Sequence, residues 1–166
     1  MAGFFGKLPS AGDFVARGLP VGVRPVMDRW LTRYLAEYAR APDRWPDTGL
    51  KAVLATPSGP LALTIIASHD MSGRAFPLAA CTQELQSAGQ IEHWAAQAVV
   101  VLTEARDACL RAEEVQASLA AISRDAREDQ TSEALTPPLL WSDGPPQAPD
   151  VSLPDIFAAF PVELAP

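Results

Sequence analysis

Two stretches of the chain repeat apolar residues every three or four positions, and this spacing predicts two amphipathic helices. The first covers residues 25–40, where charged side chains fall on the opposite face. Pro25 suits the first turn of this helix, and Pro42 prevents it from continuing. The second covers residues 91–110, and a shorter amphipathic segment follows near Val115. Both helices therefore need an apolar surface to pack against.

Shorter apolar runs, bounded by glycine and proline, predict the strands of that surface. The predicted strands cover residues 3–6, 50–56, 61–68 and 76–82. The segment Pro57-Ser58-Gly59-Pro60 separates the second from the third and is typical of a turn, because proline presets φ and glycine accepts a positive φ. The last strand is entered at Pro77, where proline is tolerated.

These elements predict one α/β domain over residues 1–166: a central, largely antiparallel or mixed β-sheet flanked by α-helices. Residues 124–136 are polar and charged, and we expect an exposed linker there. Residues 137–166 hold half of the 16 prolines and are predicted to be mostly loop, around an apolar insert at 139–141 and a short helix near 155–160.

The charge balance is acidic: the formal net charge is -7, and no block is rich in lysine or arginine. Nucleic acids and anionic membranes attract positive charge, so the sequence argues against either as a partner. No apolar run reaches the roughly 20 residues that cross a bilayer, and the N-terminus lacks the features of a secretory signal. We expect a cytoplasmic protein with no membrane insertion, in which Cys81 and Cys109 are reduced core residues.

The stretch GFFGKLPSAGDFV opens with apolar residues and continues into an unusual loop. A nucleotide-binding Walker loop has four residues between its glycines and Ser or Thr directly after the lysine. Here two residues separate the glycines and Leu8 follows Lys7, so the nucleotide interpretation fails. The residues alone favour a structural loop, in which glycine allows tight turns, proline stiffens the chain and aspartate accepts backbone hydrogen bonds. The residues concerned are Gly6, Pro9, Gly12 and Asp13.

A second stretch, SHDMSGRAFPL, gathers Ser68, His69 and Asp70 and so invites comparison with a hydrolase. Adjacent residues point in different directions, so these three cannot themselves align as nucleophile, base and orienting group. A histidine–aspartate pair in a turn is more typical of a solvated loop. Arg74 is the more informative residue. Its guanidinium would clamp a loop carboxylate, Asp13 or Asp70, or stand exposed as an anchor for a partner.

The other polar residues do not form a recognisable reactive set. His69 and His93 fall in different predicted elements, and the acidic cluster at residues 128–133 lacks the ligand pattern of a calcium loop. The sequence therefore predicts no metal, no cofactor and no catalytic residue, and we expect that the chain is not an enzyme.

Tryptophan side chains give a further set of expectations. Trp30 and Trp94 lie on the apolar faces of their predicted helices, which places both in the core. Trp45 lies in a loop of prolines and aspartates and is expected to be partly exposed, a weak indication of a partner site.

Four short segments follow one another along the chain and together carry a family resemblance. They are GFFGKLPS with GDFV in residues 3–15, MDRWL at 27–31, GRAFPL at 73–78 and LWSDG at 140–144. This set resembles the signatures of the TagF family, also called ImpM, whose members are associated with bacterial type VI secretion. The resemblance extends over nearly the whole chain.

The resemblance implies regulation and no chemistry. TagF-like proteins have an α/β fold with a central sheet between helices, and they repress type VI secretion after translation, acting through the FHA-domain scaffold protein of the system. Some members are fused to a phosphatase domain. We expect none within these 166 residues, because they are too few to hold both domains. Two alternatives stay open: a structural or accessory component of the secretion apparatus, and a small hydrolase that uses the 68–74 loop.

The family motifs also define a candidate partner surface. We expect the loop at residues 6–13 to pack near the turn at 73–78, with Lys7, Asp13 and Arg74 holding the two together. Whether the outer face binds a partner or the residues only brace the fold stays open. The candidate residues are Gly6, Lys7, Pro9, Ser10, Gly12, Asp13, Phe14, Asp70, Gly73, Arg74, Phe76 and Pro77.

Overall fold

The computed structural model describes residues 2–85, 87–122 and 135–158, and its centre is a six-stranded sheet. Neighbouring strands in the order β2-β1-β5-β4-β3-β6 are all antiparallel, which confirms the predicted fold class. The strands are β1 (Gly3–Gly6), β2 (Val15–Arg17), β3 (Leu50–Thr56), β4 (Gly59–Ile66), β5 (Leu78–Thr82) and β6 (Leu139–Trp141).

Helices cover both faces of this sheet. They are α1 (Val23–Tyr34), α2 (Ala88–Asp107), α3 (Ala112–Ala120) and α4 (Pro149–Phe157). The apolar residues of α1 and α4 share one buried cluster with Phe5 of β1, whereas those of α2 and α3 share another with Phe4. Consecutive strand residues point to opposite faces, so this neighbouring pair supplies one ring to each side of the sheet.

The central strands β4 and β5 are almost entirely apolar because they are covered on both faces. In β4 every residue from Leu61 to Ile66 is buried, and all of β5 is buried as well. The hairpin between β3 and β4 closes where Thr56 pairs with Gly59, as the Pro/Gly turn predicted. The predicted bounds of β3 are confirmed at both ends.

Glu92 of α2 connects that helix to the far edge of the sheet. Its Oε2 lies 2.8 Å from Nζ of Lys51 in β3, and its Oε1 accepts a hydrogen bond of 2.7 Å from Nε1 of Trp141 in β6. Lys51 and Trp141 face each other in the ladder. One carboxylate therefore holds a buried lysine and the tryptophan of the LWSDG segment.

Several predicted bounds shift. The first helix ends at Tyr34, where the N–H groups of Leu35 and Ala36 both donate to the Leu31 carbonyl. Residues Tyr38–Arg40 form a separate 3-10 turn, which continues the apolar period without continuing the helix. The last predicted strand, at 76–82, begins only at Leu78, after the proline. The short terminal helix lies earlier than predicted, at Pro149–Phe157, and strand β2 was not predicted.

Burial corrects three side-chain expectations. Trp45 is only 9% exposed, because it packs in the core beside α4 and its Nε1 donates to the Tyr38 carbonyl at 2.9 Å. Trp30 is half-buried on the flank of α1, whereas Trp94 is buried as expected. Cys109 is exposed and not a core residue, since it lies past the end of α2 with a φ of 55°.

Some expectations fall on residues outside the described ranges. These are the linker at 124–136 up to residue 134, the acidic cluster at 128–133 and the final segment from residue 159. Within the described ranges, none of the helices combines the length and apolar character needed to cross a membrane.

Candidate interaction site

The carboxylate of Asp70 is the centre of the contact between the two motif loops. Its Oδ1 accepts hydrogen bonds from the backbone N–H groups of Ser72 at 2.9 Å and Arg74 at 3.0 Å. Its Oδ2 lies 2.8 Å from Nε of Arg74 and 3.1 Å from Nζ of Lys7. Asp70 therefore connects its own turn to the first loop of the chain, and its side chain is fully buried. The expectation of a solvated histidine–aspartate pair was therefore wrong for Asp70, whereas His69 is exposed.

The turn itself is closed by the main chain. The N–H of Asp70 donates to the Arg74 carbonyl and that of Gly73 donates to the Asp70 carbonyl. Gly73 has a φ of 80°, a conformation that glycine adopts without strain. The sequence Asp-x-x-Gly-Arg therefore sets the turn, the carboxylate and the guanidinium in one short segment.

Hydrogen bonding fixes the charge state of Asp70. Burial alone would raise the pKa of its carboxyl, but the hydrogen bonds from the backbone of Arg74 and Ser72 and from the Lys7 ammonium favour the charged form. The net result is a pKa lowered to about 2. The carboxylate is consequently ionised at neutral pH and attracts both cations.

Lys7 is buried, and the chain around it leaves little freedom. Its amide N–H donates to the Pro77 carbonyl at 3.4 Å, and its own carbonyl accepts from the Ser68 hydroxyl at 2.8 Å. Gly6, just before it, has a φ of 141°, and a Cβ there would lie 2.2 Å from the Pro77 carbonyl oxygen. The glycine that precedes Lys7 in the GFFGKLPS segment is therefore required by a close backbone approach.

Residues 8–12 form a loop that is fixed at several points. Pro9 occupies the second position of a turn in which the N–H of Ala11 donates to the Leu8 carbonyl. The Ser10 hydroxyl donates to the Leu110 carbonyl at 2.6 Å, at the corner between α2 and α3. The carbonyl of Ala11 accepts from the Met71 N–H at 2.8 Å.

Arg74 completes this set, because its Nη2 donates to the Gly12 carbonyl at 2.9 Å. The two motif loops are thus joined by the side chains of Asp70 and Arg74 and by one backbone hydrogen bond. We call residues 8–14 and 70–74 together the loop pair.

Phe14 of the loop pair packs with two further phenylalanine rings, those of Phe5 and Phe76. Phe14 stacks on Phe5 with centroids 5.7 Å apart, and Phe76 meets both rings edge to face. The Lys7 ammonium lies 5.0 Å from the centroid of Phe14. Phe5 and Phe76 are buried, whereas Phe14 is 37% exposed. Phe14 therefore presents an apolar edge at the surface while its position is fixed from below.

The outer surface of the loop pair combines apolar and cationic side chains. Met71 is 67% exposed, and the side chain of Arg74 is 64% exposed although it is bonded to Asp70. Arg24 of α1 is also exposed, with its guanidinium 5.7 Å from the centroid of Phe5. Arginine and large apolar side chains are the residue types that dominate binding energy in protein interfaces.

The structure brings together most of the residues that the motifs predicted. Lys7, Asp70 and Arg74 do hold the two loops to each other, but Asp13 does not take part. Its Oδ1 accepts the N–H of Phe14 at 2.7 Å, so of the two carboxylates considered, Arg74 is paired with Asp70. Gly12 has no steric reason to be glycine, since a Cβ there would meet open space.

Sequence reasoning missed Met71 and Arg24. Met71 is an isolated apolar residue between Asp70 and Ser72 in an otherwise polar stretch, and this was the available signal. Arg24 lies before the predicted start of its helix, and nothing in its neighbours along the chain indicated the contact with Phe5.

Ser68, His69 and Asp70 are each oriented separately. The Ser68 hydroxyl is buried and donates to the Lys7 carbonyl, and the Asp70 carboxylate is bound to Lys7 and Arg74. His69 is exposed beside an open cleft of about 880 Å³ that reaches to Arg106 of α2. Within the described ranges, no group of three or more histidine, cysteine or acidic side chains is arranged to hold a metal ion.

An antiparallel sheet between two helical layers, with two braced loops at one end, defines this chain as a small single-sheet α/β protein. Residues 3–127 match the TagF N-terminal domain, which is described as type VI secretion system-associated, and the chain therefore belongs to the TagF family.

The fold is also found in a solved structure. The crystal structure of PA0076 from Pseudomonas aeruginosa PAO1 is similar with a TM-score of 0.59 and 24% sequence identity, covering 82% of this chain and 73% of that chain. At this identity the similarity establishes a shared fold. A comparison with curated protein sequences gave no match.

Proposed function

We propose that this protein represses type VI secretion after translation by binding the FHA-domain scaffold protein of the secretion system, and that it acts in the cytoplasm without catalysing a reaction. Membership of a family associated with type VI secretion supports the cellular context. The loop pair supplies the surface on which this binding would take place.

The observation that carries the proposal is the contrast between the inside and the outside of the loop pair. Inside, the polar groups of Asp70 and Lys7 have partners within the fold. Outside, Phe14 and Met71 remain exposed on loops whose backbone is held firmly. A rigid surface loses little conformational entropy on binding, so it suits recognition of another protein.

A binding role also accounts for the geometry of the serine, histidine and aspartate stretch. The Ser68 hydroxyl donates to a backbone carbonyl, and Asp70 is bound by two cations and two N–H groups. These contacts close the 70–74 turn or connect it to Lys7. None of them requires a substrate.

The test uses purified scaffold protein and a matched pair of surface variants. We expect the wild-type chain to bind the scaffold, and overproduction in its own bacterium to stop export of the system's secreted tube protein. Met71→Glu should weaken binding at least tenfold and relieve repression, since it places a charge in an apolar contact.

Val100→Glu is the matched control. Val100 is 64% exposed on α2, away from the loop pair, so this variant also replaces an exposed apolar side chain by glutamate. Both variants should keep the melting temperature of the wild type. Absence of scaffold binding by the wild type would reject the proposed partner, and equal effects of the two variants would reject the loop pair as the site.

A further inference from the structure

Arg24 stands out among the cations near the loop pair because, within the described residues, its guanidinium contacts an aromatic ring and forms no ion pair with a carboxylate. Its guanidinium lies against the ring of Phe5, the same ring on which Phe14 stacks. In the described part of the chain, Arg24 makes no ion pair. The aromatic contact holds an exposed guanidinium in place beside an exposed apolar edge.

Arg74 has donors to spare in the same area. Its Nε and Nη2 bond to Asp70 and to the Gly12 carbonyl, and the guanidinium fork has further N–H groups on a side chain that is 64% exposed. Asp70 already accepts four hydrogen bonds and is buried, so it does not present negative charge to an approaching molecule.

Two exposed guanidiniums, those of Arg24 and Arg74, lie in this area. The Lys7 ammonium lies near the ring of Phe14, and Arg24 lies near the ring of Phe5, on which Phe14 stacks. The exposed carboxylates along the same segments are Asp13 and Asp28, the latter one helical turn after Arg24, while Asp70 is buried. The chain as a whole carries a net charge of -7. The two exposed guanidiniums are complementary to negatively charged side chains of a partner, and like-charge repulsion elsewhere on this acidic protein would discourage long polyanions such as nucleic acid.

From this juxtaposition we propose that the surface around Phe14 binds an acidic segment of a partner protein, with Asp or Glu side chains against Arg24 and Arg74 and one large apolar side chain against Phe14 and Met71. Arg24 is the contact that selects for negative charge. This inference rests on the proposed function, because it describes the partner of the same surface.

The test is a site-specific cross-link in living cells. The full chain carrying Met71→p-benzoylphenylalanine is produced in its own bacterium and irradiated, and the cross-linked peptide is sequenced. We expect the peptide to carry several Asp or Glu residues near the attachment point. Arg24→Glu in the same chain should reduce the cross-link at least tenfold, because it replaces attraction by repulsion.

Arg33→Glu is the control. Arg33 is an exposed arginine of the same helix that lies 5.0 Å from the ring of Tyr34, so the charge change and the aromatic contact are matched. We expect it to leave the cross-link within twofold of wild type. Both variants should retain the circular dichroism spectrum and melting temperature of the parent.

The outcomes separate this inference from the proposed function. A cross-link to an acidic segment of a protein other than the scaffold supports the inference and rejects the proposed partner. A cross-link to a neutral or basic segment of the scaffold rejects the inference and supports the proposed partner. No cross-link at position 71, or equal loss with both arginine variants, overturns the inference, and binding to purified scaffold then decides the proposed function alone.

Discussion

Asp70 and Glu92 are two carboxylates that make similar contacts in different surroundings. Each holds a buried lysine and a second side chain, Arg74 in one case and Trp141 in the other. The Asp70 side chain is fully buried, whereas that of Glu92 is 47% exposed. Asp70 also accepts two backbone N–H groups, so it fixes the path of the chain and Glu92 fixes only two side chains. The difference suggests that loss of Asp70 disturbs more of the fold.

The largest effect is expected for Asp70→Ala. This change leaves the buried ammonium of Lys7 without its counter-charge and frees the N–H groups of Ser72 and Arg74. We expect the melting temperature, followed by circular dichroism, to fall by roughly 10 °C. A fall in melting temperature no larger than that measured in the same way for Glu92→Ala would contradict the contrast between the two carboxylates.

Glu92→Ala should have the second largest effect. Lys51 is buried and loses its partner, but water can reach the exposed side of the site and replace part of the interaction. We expect a loss of about 2 kcal/mol in the free energy of unfolding by urea. Glu92→Gln, which can still accept from Trp141, should lose less than Glu92→Ala. If both cost the same, the contact with Trp141 contributes nothing measurable.

The dependence of stability on low pH tests the role of the Asp70 charge. The pKa of Asp70 is lowered in the folded state to about 2, so its contribution to stability is complete above the unfolded value of 3.8 and is lost as the pH falls towards 2. In Asp70→Asn this contribution is absent at every pH. Between pH 4 and pH 2 the unfolding midpoint of wild type should therefore fall more steeply than that of Asp70→Asn, and parallel curves would exclude this role.

The smallest effects are expected at the glycines of the loop pair. Gly73→Ala places a side chain at a φ of 80° and should destabilise the turn by about 1 kcal/mol. Gly12→Ala should leave urea unfolding within about 0.5 kcal/mol of wild type, since the site is open. A large loss of stability in Gly12→Ala would show that position 12 is constrained in a way that the open space around it does not explain.

Much of the sheet could be predicted because its strands carry their signals locally. Strand β3 and its turn are marked by an apolar run followed by proline and glycine, and both bounds were predicted. Strand β2 has three residues, and its pairing with β1 is set by the loop pair, so no local pattern marks it.

The end of α1 was misplaced for a related reason. Tyr38 and Ala39 keep the apolar period after Tyr34 because they also pack in the core, but they do so from a 3-10 turn. Periodicity reports which residues face the core and does not report a change in backbone hydrogen bonding. Trp45 was misplaced because its neighbours are polar, whereas its burial comes from Tyr38 and Phe157.

At the candidate site, the motifs predicted which residues come together but did not decide which carboxylate pairs with Arg74. Two carboxylates were within the reach of Arg74, and only the turn geometry decides for Asp70, since a carboxylate four residues earlier meets both the guanidinium and the N–H of Arg74. Burial of Asp70 depends on Lys7, 63 residues away in the chain, and no local pattern contains it. Of the exposed side chains that we propose for binding, Phe14 and Arg74 were predicted candidates, whereas Met71 and Arg24 came from the structure alone.

The turn at residues 70–74 has a consequence for how such a protein can diverge. Its shape depends on one carboxylate and one glycine, while Met71 and Ser72 take part through their backbone N–H groups. Their side chains can therefore be exchanged in single mutational steps without loss of the fold. A lineage that duplicates this gene has, at these two positions, a route to a new binding preference that passes through stable intermediates.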